Sequence, residues 1–410
     1  MSDKKKVLLI SKAKPYPLND GGALALYYFV EGLKDDFDFV FCTIIYSEND
    51  IDSIKRLQEK NPELKIYYVE QFWREKKNTW GKMKAALKSL HRGKTTTSVS
   101  AVDDFEDPYF AHVDHAFSQK FIDLINEIIV KEKITKVQFD FYDTIDICYA
   151  LPKDVEKIFV HHEVRFKRLQ LAAAESGCSD AYKNYLIGKT AAFERACLGE
   201  MDKVVVFNED DAKELEPFCK KVIVSPFAIP DELIFDLKHD NVYSRLLFCG
   251  GEGHTPNALG LKWFLDEIYV PNHDKINLPL YITGVWSAAF KEQYKACDKV
   301  VFCGLVESLA TYFEDSIFVN PILTGAGIRT KVLHAMANRV PVMSTRFGAE
   351  GCYSAEENSH IAFFDSAEEF LNCFNNCDFK SLAEKGCQYY NRAFNKEKLL
   401  GIRKKIIGQE

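Results

Sequence analysis

The sequence predicts an α/β protein with two tandem Rossmann-like, doubly wound domains and C-terminal helices that pack back over their junction. Short apolar runs rich in β-branched and aromatic residues alternate with longer stretches of helical period, which is typical of βαβ units and parallel sheets. This pattern occurs twice in 410 residues, a length that suits two or three domains. A composition of 47% hydrophobic and 28% charged residues supplies enough apolar surface for both domains to fold.

Two prolines separate the two series of predicted strands. The first series comprises 6–11, 37–45, 64–69, 136–142, 157–161 and 203–207. The second comprises 245–250, 279–284, 299–303, 316–321, 341–345 and 361–364. Pro226 and Pro230 lie between them, and each disfavours helix at the residue before it. We therefore predict an N-terminal domain over 1–225, a C-terminal domain over 226–390 and a helix over 391–410 that returns toward the first domain.

Charge and hydropathy exclude several classes of protein. The net charge of −7 has the wrong sign for a protein that coats nucleic acid, so we expect no nucleic-acid partner. The longest apolar runs are strand-sized, far short of the ~20 residues that span a bilayer. The apolar run that follows the first lysines is also too short for the ~7–15 apolar residues of a signal peptide. We therefore expect a cytoplasmic protein.

Ligands of open α/β sheets bind at the carboxyl ends of the strands, and two such domains leave a cleft between these ends. The first candidate there is the pair Gly21 and Gly22, between a strand and a helix. Adjacent glycines let the backbone approach a ligand closely, and the helix start offers free N–H groups to an anion. A tight turn before an ordinary helix is the alternative reading.

A titratable cluster follows the strand at 157–161. His161, His162 and Glu163 stand at the strand end, ahead of three cations in the next residues. We take these three as candidate catalytic residues, because an imidazole there can orient a hydroxyl or move a proton. A solvated strand end is the alternative. Neighbouring histidines on a strand point to opposite faces, so a shared metal ion is not favoured, and we predict no metal site.

The second domain contains two glycine-rich turns after strands. One contains Gly251 and precedes a proline-initiated helix. The other contains Gly325 and Gly327 and leads into a helix with Arg329 and Lys331 in its first turn. Cations there oppose the helix dipole by about 0.3–1 kcal/mol each, so an anion between them and the amides is expected. A diphosphate suits this pair, although both side chains simply pointing to water is the alternative.

Taken together, these runs resemble the donor-binding half of a family 4 glycosyltransferase with the GT-B fold. The matching runs are 247–251, 256–257, 302–306, 325–337, 341–345 and 348–351. The N-terminal half resembles the family more loosely, through Gly21, Gly22 and the strand end at His161. The resemblance implies transfer of a sugar from a nucleotide diphosphate sugar to an acceptor hydroxyl, with retention and without a further cofactor, in cell-envelope glycan synthesis.

The resemblance also implies a set of donor-binding residues. Arg329 and Lys331 would hold the diphosphate, and Gly22 would approach it from the facing domain. The full predicted set is Gly21, Gly22, Gly251, Gly325, Gly327, Arg329, Lys331, His334 and Glu350. The acceptor, a glycan or a lipid-linked sugar, would lie against the first domain.

The sequence departs from the family at two positions. Many members place glutamates before the Gly-x-Gly and before the Ala-Met-Ala, whereas this chain has Thr324 and His334 there. An imidazole offers a ribose diol one donor and one acceptor, whereas a carboxylate accepts from both hydroxyls. A degenerate GT-B protein that binds without transfer, or a nucleotide-sugar epimerase, is therefore an alternative function.

Residues 72–94 carry a local excess of positive charge. Eight Lys or Arg and one Glu give this segment +7 within a chain of −7. Trp80, Met83, Leu87 and Leu90 recur at helical spacing, as in a helix lying flat on an anionic surface. We predict peripheral contact with the inner face of a membrane; packing of the stripe on the first domain is the alternative.

Overall fold

The computed structural model describes residues 4–18, 20–71, 116–174, 177–238, 242–325, 327–354 and 357–408. They form two parallel sheets flanked by helices, as the sequence predicts. The first sheet contains β1 (Lys5–Ser11), β2 (Phe37–Ile45), β3 (Lys65–Glu70), β4 (Lys136–Asp140), β5 (Glu156–Val160), β6 (Lys203–Val206) and β7 (Val222–Val224). Its helices are α1 (Gly21–Leu33), α2 (Glu48–Lys60), α3 (Gln119–Glu132), α4 (Arg165–Ala174), α5 (Asp180–Glu200) and α6 (Glu209–Leu215), with a 3₁₀ segment at Tyr142–Ala150.

The second sheet has its own layer of helices. Its strands are β8 (Arg245–Cys249), β9 (Leu280–Thr283), β10 (Val300–Gly304), β11 (Ser316–Asn320), β12 (Val342–Ser344) and β13 (Ala362–Phe363). The helices that follow in the chain are α7 (Thr255–Trp263), α8 (Ala288–Tyr294), α9 (Ala310–Phe313), α10 (Thr330–Ala337), α11 (Ala367–Asn376), α12 (Phe379–Ala393) and α13 (Lys396–Gly408).

Both sheets are doubly wound. The strand orders are β3-β2-β1-β4-β5-β6-β7 and β10-β9-β8-β11-β12-β13, and every pairing is parallel. In each sheet the order reverses beside the first strand, so a crevice opens at the carboxyl ends of β1 and β4 and of β8 and β11. The central strands are buried on both faces, which explains why they read as continuous apolar runs.

The twelve predicted strands coincide with observed strands to within a few residues at each end. The short β7 was not predicted. Three partly buried residues at a sheet edge give neither a long apolar run nor a clear alternation. The predicted helix over 391–410 corresponds to the end of α12 and to α13, which are separated at Phe394.

The last helix, α13, packs on the first domain. It lies beside α1, where a Cβ at Gly32 would meet the side chain of Leu400. Lys203 donates from Nζ to the carbonyl of Ile406 at 2.6 Å. Leu399 and Ile406 are buried in one apolar cluster with residues of both sheets. The first domain is therefore completed by residues that follow the second domain in the chain.

The connection between the domains is fixed to α10. His334 hydrogen-bonds the carbonyl of Leu233 through Nε2 at 2.9 Å, and the Asn338 amide donates to the same carbonyl at 2.9 Å. Asn338 also accepts from the amide of Phe235 at 2.7 Å. These hydrogen bonds give partners to the Leu233 carbonyl and the Phe235 amide, and they attach the connection to the second domain.

None of the helices in the described ranges combines the length and the apolar character that a membrane span requires. The predicted surface helix at 72–94 lies outside the described residues, so membrane contact stays a prediction.

We predict opposite outcomes for two helical glycines. A Cβ at Gly260, in α7, would collide with the carbonyl of Pro321, so Gly260→Ala should lower the free energy of unfolding by about 1–3 kcal/mol. Gly401, in α13, has no atom within 4 Å of its Cβ position, so Gly401→Ala should raise that free energy by about 0.4–1 kcal/mol. Urea denaturation of both variants measures this, and equal destabilisation by both would contradict the packing of α7 on β11.

Candidate active site

Arg329 and Lys331 flank the start of α10, as the sequence predicts. The Arg329 side chain is only 10% exposed. It stacks on Phe347 at 4.7 Å, and its Nη2 lies 3.3 Å from Oε2 of the exposed Glu350. Its Nε has no partner among the described residues. Burial lowers the pKa of this guanidinium, and the Glu350 carboxylate opposes the fall. The cation is therefore only weakly compensated by the protein.

Lys331 is held by a neutral partner. Its Nζ donates to Oδ1 of the buried Asn257 at 2.7 Å and lies 5.8 Å from the centre of the Phe248 ring. Burial lowers its pKa to about 8. A Cβ at Gly250 would stand 2.7 Å from Nζ, so the backbone after β8 approaches the ammonium closely. Within the described ranges no carboxylate pairs with this ammonium, although a buried cation usually has such a partner.

The start of α1 faces the start of α10 across the cleft. A Cβ at Gly21, the first residue of α1, would lie 2.7 Å from Oγ1 of Thr330, the first residue of α10. At Gly22 a Cβ would collide with the ring of Phe141. Both positions therefore need glycine for close approach. Two helix N-termini that meet in this way concentrate positive potential, which Arg329 and Lys331 increase.

His162 contributes from the first domain to the same place. Its Nε2 lies 3.0 Å from Oδ1 of Asp140, and its ring stacks on Phe141 with centres 3.8 Å apart. Phe141 has φ +73°, an uncommon value for a residue with a side chain. The carbonyl of His162 would lie 2.9 Å from a Cβ at Gly327, whose φ of +84° also favours glycine. The imidazole therefore stands where the two domains touch.

His161 points away from the cleft and into the first domain. It is 1% exposed, and its Nε2 lies 2.7 Å from Oε1 of Glu194. The same carboxylate accepts from the backbone amides of Arg165 and Phe166 at 2.9 and 3.0 Å, at the start of α4. Glu194 thus caps α4 and is anchored by His161. The contacts of this histidine are those of a structural residue.

Glu163 forms an ion pair with Arg168, and its Oε1 also lies 3.6 Å from Nη1 of Arg165. Opposite this group stands the exposed His254, on the glycine-rich turn after β8. Loss of hydration lowers the pKa of His254, and the cations Lys331 and Arg168 lower it further. Charges of both domains therefore converge on this turn.

The remaining predicted donor residues occupy different surroundings. Gly251 and Gly325 line the turns beside Lys331 and Arg329. His334 is buried with its ring against Phe313 and Phe235, and its Nε2 is used by the connector. Burial lowers its pKa to about 4, so the imidazole is neutral at pH 7. The structure thus gives His334 contacts within the protein, and its role toward a ribose stays a prediction.

Several residues of this arrangement were not singled out from the sequence. Asp140 lies inside the predicted strand 136–142, whereas the observed strand β4 ends at Asp140, so its place at a strand end was not predicted. Asn257 lies in the first turn of α7 and in the matching run 256–257, but nothing local indicates that its side chain meets Lys331. Glu194 lies inside a long helix and carries no local signal. No group of three or more metal-binding side chains suited to a metal ion occurs within the described residues.

Comparison with known sequences finds a family model that matches part of the second domain. Residues 244–376 match the family model described as glycosyl transferases group 1. A relative from Klebsiella pneumoniae, an uncharacterized 44.6 kDa protein in the cps region, is 23% identical over 358 residues, which is 84% of each chain.

Solved structures share the whole architecture. Sucrose-phosphate synthase from Thermosynechococcus elongatus superposes with a TM-score of 0.69 over 99% of each chain, at 15% identity. TarM superposes with 0.65 over 98% of each chain, at 10% identity. A TarM variant from S. aureus, in complex with Fondaparinux, alpha-GlcNAc-glycerol and UDP, gives 0.65 over 98% of this chain and 99% of that one, at 12% identity. At such identities the likeness shows the fold, and the predicted GT-B fold is confirmed; assignment to family 4 stays a prediction.

We expect anion binding at α10 to depend on the protonation of Lys331. Because burial lowers its pKa to about 8, the ammonium is charged below that pH and neutral above it. Affinity for pyrophosphate should therefore weaken as pH rises from 7 to 9.5, as measured by calorimetry. Lys331→Met should remove most of this dependence, whereas Lys295→Met, at an exposed site, should retain it. A parent affinity that is constant over this range would contradict the assignment.

Proposed function

We propose that this chain, whose second domain matches glycosyl transferases group 1 within a GT-B fold, transfers a sugar from a nucleotide diphosphate sugar to an acceptor hydroxyl. The observation that supports this most directly is the meeting of two helix starts, at Gly21 and Thr330, beside the weakly compensated cations Arg329 and Lys331. A diphosphate supplies negative charge in addition to that of Asp20, which caps α1, and of the exposed Glu350.

The same cations suit the chemistry of transfer. As the bond between the anomeric carbon and the diphosphate breaks, negative charge grows on the leaving oxygen. Arg329, Lys331 and the helix starts of α1 and α10 stabilise this charge, and because they are already in place they require little rearrangement. The acceptor hydroxyl forms the new bond to the anomeric carbon and gives up its proton. Retention of configuration belongs to the proposal through the family resemblance.

We assign the acceptor side to His162. Its Nε2 is engaged with Asp140, so Nδ1 is the ring atom left for a sugar hydroxyl or for the departing proton. Its carbonyl touches the turn that carries Gly327, which places the imidazole close to the start of α10. A glycan or a lipid-linked sugar is the proposed acceptor. The relative in the cps region supports a role in the synthesis of cell-envelope polysaccharide.

The proposal also covers the location of the protein and two alternative functions. A cytoplasmic location, with contact to the inner membrane face through residues 72–94, rests on the charge and hydropathy of that segment. The alternative functions are binding without transfer and epimerisation of the donor sugar. Release of free sugar or isomerisation without an acceptor would favour the epimerase, and binding with neither would favour the degenerate protein.

Calorimetry with UDP-, GDP- and dTDP-sugars tests the donor site. We expect one of these classes to bind, and Arg329→Ala and Lys331→Ala each to weaken it by about 1.5–3 kcal/mol, the cost of losing a hydrogen bond to a charged group. Lys295→Ala, at an exposed ion pair, is the matched control and should bind like the parent. Parent affinity in both site variants would refute the diphosphate assignment.

The two neighbouring histidines should respond differently to substitution. We expect His162→Ala to lower turnover far more than donor affinity, because its contribution is to the reacting groups. His161→Ala leaves the buried Glu194 carboxylate without its imidazole partner, so its main effect should be a lower melting temperature. Turnover, donor affinity and thermal melting distinguish the two, and the reverse pattern would move the catalytic role to His161.

A further inference from the structure

The carboxylate that holds His162 is itself enclosed. Asp140 is 1% exposed, and each of its oxygens has a hydrogen-bonded partner. Oδ1 lies 3.0 Å from Nε2 of His162, and Oδ2 accepts from the side-chain amide of Gln138 at 2.7 Å. Neither partner is a permanent cation. A buried ionised carboxylate without a cation nearby is costly, so a compensating charge is expected within a few ångströms.

Arg403 supplies a cation at this place from the far end of the chain. Asp140 and Arg403 line the same small cavity, of about 10 Å³, together with Ser225. Arg403 is 6% exposed, lies over Phe29 at 4.6 Å, and its Nη1 has no hydrogen-bond partner among the described residues. The Ser225 hydroxyl is likewise unpartnered within them. A cavity of this size and polarity suits one water molecule that bridges these groups.

Electrostatics supports the pairing. Burial lowers the pKa of Arg403 to about 10, and the charge of Asp140 counteracts the fall. A guanidinium stays protonated at neutral pH even so, which leaves a buried positive charge beside the buried carboxylate. The two therefore stabilise one another across the cavity.

We propose that Asp140 is a positioning residue for His162, and that Arg403 of α13 supports it by favouring the ionised carboxylate. The ionised form fixes the Nε2–H tautomer, leaves Nδ1 toward the cleft and stabilises an added proton on the ring. This inference rests on the role of His162 in the proposed function. In this arrangement α13 helps to position His162, the residue that we assign to the acceptor.

Charged groups also lie on the segments around this imidazole, so the effect must be measured at His162 itself. They are Asp20 at the start of α1, Glu163 and Arg168 after β5, Asp211 on α6, and Arg329, Lys331, His254 and Glu350 from the second domain. None of them is changed by substitution of Asp140 or Arg403.

Titration of ¹⁵N-labelled histidines followed by NMR tests the proposal without requiring turnover. The His162 signal is assigned from its absence in His162→Ala. We expect Asp140→Asn to lower the pH of half-titration of His162, because a nearby opposite charge is lost. Arg403→Met, which keeps the apolar contact with Phe29, removes a nearby cation and should shift the half-titration in the opposite direction, to higher pH.

Lys404→Met is the matched control, because Lys404 is the next residue on α13 and its ion pair with Asp36 is exposed. It should leave the His162 titration unchanged. The same half-titration pH in the parent and in Asp140→Asn would overturn the positioning role. An Arg403→Met variant that behaves like Lys404→Met would overturn the role of α13, and melting curves of all variants show whether they are folded.

Turnover adds a second criterion. If Asp140 acts through His162, Asp140→Asn should lower kcat in the parent but have little further effect in His162→Ala. Equal losses in both backgrounds would contradict a positioning role. Full turnover in His162→Ala would instead refute the proposed function of that residue and leave the NMR result intact, so the two failures are distinguishable.

Discussion

The cleft depends on one electrostatic constraint: two helices present their positive ends to each other across it. Gly21 and Thr330 begin these helices, and they approach so closely that a side chain at Gly21 would clash. Arg329 and Lys331 add two full charges at the same point. Like potentials at this distance repel one another, so the domains meet stably only when other contacts or an anion compensate. The glycines at 21 and 22 and the contact of Gly327 with the His162 carbonyl accompany that close approach.

Buried charges elsewhere in the described structure are treated differently. Glu132 contacts the side chains of Lys65, Lys6 and Tyr67, with Lys65 the strongest of the influences that lower its pKa to about 2. Glu156 pairs with Lys136 and Lys203. These clusters satisfy their charges with opposite charges of the chain itself. Lys331, by contrast, faces an amide and an aromatic ring. That contrast supports the proposed ligand-binding role of Lys331, as distinct from residues that stabilise the fold.

The sequence was sufficient for the fold because its information there is local. Apolar runs of strand length and helical period between them define each βαβ unit, and only the short β7 lacks such a signal. The cations of α10 were also predictable, because they conflict with the dipole of their own helix. The partners of the histidines were not. His161 meets Glu194, which is 33 residues distant, and His334 meets the connector at Leu233. Such pairs depend on tertiary packing, about which spacing along one chain carries no information.

The position of α13 has a consequence for biosynthesis. During translation the first domain leaves the ribosome well before Leu399, Arg403 and Ile406 exist, yet these residues occupy its interior. Phe29 and the carboxylate of Asp140 therefore lack their final neighbours until the whole second domain has been synthesised. A nascent first domain exposes an unfinished apolar face during that interval, which is the period when chaperones bind and aggregation begins. Completion of the surroundings of Asp140 and Phe29 is therefore among the last events in the folding of this chain.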